Sequence, residues 1–440
     1  METNSPKSNS VLQFIGLLCV AFAIIVVSFA PQITSIIGSG TDGSVEVQLA
    51  DTGNIDAFGR VRVSTVTSIL DIKHLYDKEP LFVDEQISGT ATSTFTESSV
   101  VMNTSSSGDY VIRETYQKAF YQNGKSQQIL MTFDNFHPQT NIEKRIGYFS
   151  SNNVAPFNSE LDGLFLSSEN GTIYINVYRG GEVVEKVSQS NWNIDTLDGN
   201  GDSRINVNWD KAQIMQIDFE WLGVGRIRWG LVIDGQFILF HETNNANNLN
   251  GVYMLSPNQP MRWEIRQTGV GSGTFDTICG TVGTEGSINR LGVERSVNTD
   301  SVPISASSTA NKYVMLGIRL DPNASDKVVD VLRFTLLGLS NQNYYWELQL
   351  DPNITGAITW TNEDNIYVDY TIGSGQTISS DGFILDSGFA TGRTVSSDEI
   401  DNALRLGVDL EGNPQTIFLV VRPLSANLDA HGSLTWRELR

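Results

Sequence analysis

The sequence predicts an all-β protein: a jelly-roll type β-sandwich over residues 51–295, a linker at 296–311 and a smaller β-sandwich domain at 312–440, preceded by one apolar transmembrane helix. Three observations predict it. Short runs of β-branched and aromatic residues recur between turn signals. The 440 residues include 39 Gly and 12 Pro, a composition suited to short strands joined by turns. No amphipathic helical pattern follows residue 31, which disfavours an alternating β-α-β chain.

Taken in order, residues 1–10 form a short cytoplasmic or internal tail. Val11–Ala30 is uncharged and long enough to span a bilayer. A cleaved signal peptide is the alternative, because Ser28-Phe29-Ala30 resembles a small-residue cleavage site, although Pro31 would hinder cutting there. Lys7 precedes the run and Asp42, Glu46 and Asp51 follow it, so the positive-inside rule leaves the large C-terminal part outside the cytoplasmic face. Residues 31–50 are rich in Gly, Ser and Thr and read as a flexible stalk.

Asp56–Ser64, DAFGRVRVS, alternates as a strand does and opens the ordered part. Strands are expected at Tyr110–Glu114, Gln127–Phe133, Thr172–Tyr178, Ile214–Trp221, Ile227–Ile233, Phe237–His241 and Met261–Ile265. The second set is Tyr313–Leu320, Val328–Leu337, Tyr344–Leu350, Ile366–Tyr370 and Thr416–Arg422. Gly223-Val-Gly225 and Asp234-Gly235 read as hairpin turns.

A net charge of −21 argues against nucleic-acid binding, which needs clustered Lys and Arg. Only Cys19 and Cys279 are present, so neither an intrachain disulfide nor a cysteine zinc site is expected. Along Gln213–Trp221, alternation puts Gln216, Asp218 and Glu220 on one face and Ile217, Phe219 and Trp221 on the other. Polar groups in a row over an apolar face suit carbohydrate binding. Gln216, Asp218, Glu220, Trp229 and Asn244 are the candidates, with Asp218 and Glu220 as weak catalytic candidates. The bland alternative packs the aromatics in the core and pairs the carboxylates with Arg226, Arg228 or Arg262.

Asp198-Gly-Asn200-Gly-Asp202 spaces oxygen ligands as a calcium loop does, but Ser203 and Trp209 stand where Gly and Glu are expected. A plain β-turn is the competing account. Asn103, Asn170, Asn323 and Asn353 each begin an Asn-x-Ser/Thr triplet and are glycosylation candidates. His241-Glu242 reads as a solvated strand end. No other cofactor is expected.

The strand IDFEWLG resembles the active strand of laminarinase-type glycoside hydrolases, which have a concanavalin-like sandwich. That resemblance implies a nucleophile at 216, a helper at Asp218 and an acid/base at Glu220. Residue 216 is Gln, and a retaining mechanism needs two carboxylates, so the likeness favours the fold and disfavours the hydrolase. DAFGRVRVS (56–64), GKSQQILMTF (124–133), EKRIGYFSSNNVAPF (143–157), NWNIDTLDGNG (191–201), KAQIMQIDFEWLGVGRIRWGLVIDG (211–235), HETNNAN (241–247) and LTWRELR (434–440) together resemble uncharacterised virion proteins of tailed phages and large DNA viruses of aquatic hosts. The resemblance implies a viral structural or surface protein. Its partners would be a lipid membrane through residues 11–30, other virion proteins or a host glycan, with a homo-oligomer by analogy. A glycan-active hydrolase using Glu220 and a cellular surface adhesin are the alternatives.

Overall fold

The computed structural model describes residues 52–151, 161–364, 366–392, 404–425 and 427–439, with the backbone of the strands at 38–39, 45–46 and 395–399. The tail, the apolar run and most of the expected stalk lie outside the described residues. Within the stalk, Gly38–Ser39 pairs antiparallel with Val45–Glu46, in a compact unit separate from Asp56–Arg440. Among the described residues no helix is long and apolar enough to cross a membrane.

From Asp56 onward the protein is two β-sandwiches built of antiparallel strands. The first has a seven-stranded sheet in the order Glu182–Ser188, Thr172–Arg179, Leu161–Glu169, Ile142–Ser151, Met261–Gln267, Tyr110–Thr115 and Val83–Ser88. Facing it is an eight-stranded sheet. Its path runs Gln236–Thr243, Ile227–Ile233, Gln213–Phe219, Gln127–Asp134, Gly273–Glu285, Ser99–Thr104 and Thr92–Thr96, with Val66–Lys73 also paired to Gly273–Glu285. Alternating residues from both sheets interdigitate: Ile146, Tyr148, Leu164 and Trp263 from one, Ile129, Met131, Ile217 and Trp229 from the other. Removing each such side chain from water contributes about 1.5–3 kcal/mol.

The second sandwich packs a five-stranded sheet, which contains Gly292–Asn298, Val328–Gly338 and Leu428–Leu439, on a seven-stranded sheet around Tyr313–Leu320, Asn343–Leu350 and Thr416–Pro423. Val331, Phe334, Trp346 and Trp436 lie in its core. The strands expected in both regions form with ends shifted by a residue or two. Low-hydrophobicity strands had no signal: Gly273–Glu285 carries three glycines and four threonines yet is thirteen residues long.

Two expectations need correction. The segment 296–311 is not a plain linker, because Gly292–Asn298 and Ile304–Ala306 both pair with Leu428–Leu439. A Ser/Thr-rich segment looks like a linker when the strand it pairs with is more than a hundred residues away. Nor is Asp56–Ser64 a strand; it is an irregular strap held by side chains.

Candidate functional site

The hairpin formed by Gln213–Phe219 and Ile227–Ile233 fixes the site. Its register sets Asp218 opposite Arg228, Ile217 opposite Trp229 and Gln216 opposite Gly230. Directly opposed residues share a face, so Trp229 falls with Ile217 in the core, where it is fully buried. Trp229 is therefore not a stacking platform for a ligand. Its indole nitrogen donates to Thr243 Oγ1 at 3.2 Å.

The polar row lies on the outer face, but the strap covers it. Along the strap the alternation is inverted: Val61 and Val63 are 49% and 91% exposed while Arg62 turns inward. Arg62 Nη2 lies 2.5 Å from Asp218 Oδ2, and its Nη1 pairs with Glu285. Arg228 Nη1 donates to the same Asp218 oxygen at 2.8 Å, and Ser126 Oγ donates to the other at 2.6 Å. With its amide oxygen turned inward, Gln128 accepts from Gln216 Nε2 at 3.2 Å and from Arg62 Nη1 at 2.7 Å. Phe237 closes the row from the side: a Cβ at Gly230 would strike its ring, and Arg228 stacks on it at 5.1 Å. Asp218 is completely buried and Gln216 nearly so. Both are corrected from candidate sugar ligands, and Asp218 from catalytic candidate, to members of a buried ionic network. A buried carboxylate holds its charge only with such partners.

Glu220 has a different setting. It lies past the strand end, where the turn Trp221–Gly225 reverses the chain. Gly223 takes a positive φ of 84°, and Gly225 packs so close that a Cβ there would collide with Glu220 Cγ and its carbonyl. Glu220 Oε1 accepts from Arg226 N at 3.1 Å, whereas Oε2 is buried without a hydrogen-bond partner. Burial holds this carboxyl above its ordinary pKa, opposed by the hydrogen bond from Arg226. Trp221, on the other face, packs against the core and donates to the Met254 carbonyl at 3.1 Å.

Around Glu220 opens a shallow cleft of ≈ 370 Å³, lined among others by Phe58, Gly59, Arg226 and Asn244. Asn244 is exposed, and the neighbouring Asn245 is buried and braces the turn through Gly225 O at 2.7 Å. Arg226 ties the cleft together. It donates to the carbonyls of Asp56 (3.2 Å) and Ala57 (2.9 Å) and pairs with Glu242 at 2.8 Å. Phe58 is half-buried, with Arg60 4.4 Å over its ring. Of the five sugar-ligand candidates, then, the structure brings together only Glu220 and Asn244. It adds Phe58, which sequence reasoning missed. The available signal was Arg62 in the strap, matching the acidic groups it covers.

The other candidates disperse. Asp198 Oδ1 accepts from Asn200 N at 3.0 Å and Thr196 Oγ1 at 2.8 Å, bonds that hold its carboxyl below the ordinary range. The buried acid of this loop is Asp195, which accepts from Leu197 N and Ser203 N, each at 2.8 Å. Asn200 and Asp202 are exposed. Of the three proposed ligands, only Asp198 is shown engaged by the turn. Among the described residues no group of three His, Cys, Asp or Glu could hold a metal. His241 is buried rather than solvated, accepting from Asn193 N at 3.1 Å. Asn170, Asn323 and Asn353 are exposed, whereas Asn103 is half-buried in a strand and bonded to Thr274.

No protein-family model matches the chain, and no curated protein matches it either. Solved structures similar in shape include the following three. The carbohydrate recognition domain of Emp47p has 12% identity and a TM-score of 0.34, covering 51% of this chain and 99% of that one. The legume lectin-like domain from Entamoeba histolytica has 10% identity and a TM-score of 0.32, covering 50% and 98%. The Ca2+/Man-bound exoplasmic/lumenal domain of VIP36 has 12% identity and a TM-score of 0.32, covering 52% and 100%. At such identities and scores the likeness carries no ligand or mechanism to this chain. Its class rests on its own strand pairing: an all-β, double-sandwich protein with one polar sheet face strapped shut and a small cleft at the rim.

Proposed function

We propose that the chain is a non-catalytic recognition protein that binds a glycan in the rim cleft. The observation that carries this reading is the convergence of Glu220, Asn244 and Phe58 on one cleft. A sugar needs a carboxylate to order its hydroxyls, an amide that both donates and accepts, and an apolar ring against its C–H face. Glu220, which lines the cleft, supplies the first of these. In a wider role the chain would be a virion surface protein, tethered through residues 11–30, with the sandwiches outside. The motif resemblance and the apolar run support that location.

A glycan-active enzyme using Glu220 is the second reading. The carboxyl's raised pKa favours it, as a general acid would require. Against it, no second carboxylate is among the residues lining the cleft, and Asp56, the nearest acid electrostatically, is paired with Arg60 at 2.7 Å.

Glycan-array binding by the full chain tests the proposal. Asn244→Ala and Phe58→Ala are each expected to weaken binding by roughly tenfold, the loss of one good contact. Binding that survives both substitutions would place the ligand elsewhere. Sugar release abolished by Glu220→Gln would establish the enzyme reading instead.

A further inference from the structure

A second cavity, of ≈ 300 Å³, is lined by residues of both sandwiches. The first sandwich lines it with Glu114, Lys118, Ser150 and Arg262, and the second with Ser325 and Leu410, among others. Lys118 stands just past the strand Tyr110–Thr115 and is half-buried. Its ammonium has no hydrogen bond or ion pair among the described residues. Burial pushes its pKa down, and only longer-range attraction to Glu114, Asp326 and Asp162 pulls the other way.

Each of those acids already has partners. Glu114 pairs with Arg262 at 2.6 Å, and Glu264 pairs with Arg262 at 2.6 Å and with Arg145 at 3.2 Å. Two carboxylates therefore meet two guanidiniums, and that network is balanced. Asp326 pairs with Lys327 at 2.9 Å. Asp162 accepts from the backbone N–H groups of Gly180, Leu255 and Ser256 and from Gln259 Nε2, at 2.8 to 3.2 Å. Across the cavity, Asp409 Oδ1 accepts from Glu411 N at 2.9 Å and Asn413 N at 2.7 Å, closing its own turn. Glu411 is exposed at the rim. Among the described residues Lys118 is left without a directly paired counter-group, facing a space large enough for several non-hydrogen atoms. A cation removed from water without an acceptor is costly.

We propose that this cavity is a binding site for a small oxyanion, a carboxylate or a phosphoryl group, held on Lys118. The site is separate from the rim cleft and independent of glycan binding. Ser150, itself nearly buried, offers a hydroxyl beside the ammonium's cavity. The surrounding acids give selectivity by size and charge: a compact anion reaches the ammonium, while a polyanion meets Glu411 at the mouth.

The test is competitive lysine modification on the full chain. Formaldehyde with cyanoborohydride methylates accessible amines, and peptide mass mapping follows each lysine. Exposed Lys73, with 59% of its side chain accessible, is the internal control. Millimolar inorganic phosphate or acetate is expected to slow methylation of Lys118 by roughly tenfold while Lys73 is unaffected. Protection by phosphate alone assigns a phosphoryl ligand, and protection by acetate assigns a carboxylate. Glu411→Gln, which removes a rim charge, should lower the oxyanion concentration required. Equal methylation of Lys118 with and without either oxyanion overturns the proposal.

Discussion

His74 shows at the scale of one residue what burial does to a titratable group. Its imidazole is fully buried beside Trp263, with Nδ1 3.0 Å from the Ile278 carbonyl and Nε2 3.3 Å from Arg113 Nη2. Burial and the Arg113 charge push its pKa down to about 4 from the ordinary 6.5. The unfolded chain therefore takes up the proton first as pH falls. His74 gives its full stability above pH 6.5, and that contribution is lost through the window from 6.5 down to 4. The loss is on the order of 3 kcal/mol. Urea unfolding at pH 7 and at pH 4.5 should show this drop in the wild type and a shallower one in His74→Gln. Equal slopes would mean that His74 is not held neutral in the fold. In the sequence His74 was one of four scattered histidines, and nothing local marked it as buried. By contrast, Glu220 was legible in the sequence as a member of the polar row and Asn244 as part of an Asn-rich loop.

The strap carries the argument at the scale of an element. Its residues, Arg-Val-Arg-Val, have the alternation of a half-buried strand, and periodicity alone turns the valines inward. The sheet below presents Asp218 and Glu285 instead, and an arginine meets those carboxylates better than a valine does. The register of the strap is thus set by charge. Arg62→Ala leaves Glu285 and Asp218 with fewer partners and should cost roughly 3–5 kcal/mol, the usual penalty for breaking a buried ion pair. It should also free residues 56–64 to early proteolysis, since only side-chain bonds and a few backbone bonds hold them. A strap as protease-resistant as the wild type's would show that Arg226 and Arg60 suffice to hold it. The hairpin turn at Asp234-Gly235 needed no such help: φ values of 50° and 77° are those expected of a two-residue turn with this sequence.

For the molecule as a whole, the two sandwiches from Asp56 to Arg440 belong to one compact unit. Arg405 joins them. Its Nε donates to Asp330 Oδ1 at 3.2 Å in the second sandwich, and its Nη1 donates to the Ile69 carbonyl at 2.9 Å in the first. Its guanidinium also lies 5.2 Å over the Phe120 ring. Val328 and Leu439 of the second sandwich are packed into the core of the first. Calorimetry of the wild type should give one cooperative transition. Arg405→Ala, which leaves Asp330 only its 3.7 Å pairing with Arg290 at a buried junction, should split it into two, with the less stable sandwich melting first. A single unshifted transition in the variant would show that apolar packing alone couples the sandwiches.

By itself the sequence determined the β-class, the positions of the strongly apolar strands and the two tight turns, because these follow from side-chain period and local backbone preference. Tertiary structure decided everything that depends on a distant partner. It showed that the polar row beginning at Gln216 is strapped shut, that Trp229 is core and that 292–298 is an edge strand. It also brought Phe58 beside Glu220 and left Lys118 without a direct ion-pair partner among the described residues. Alternation tells which residues share a face of a strand. What lies over that face is set by residues more than a hundred positions away, and no local period records them.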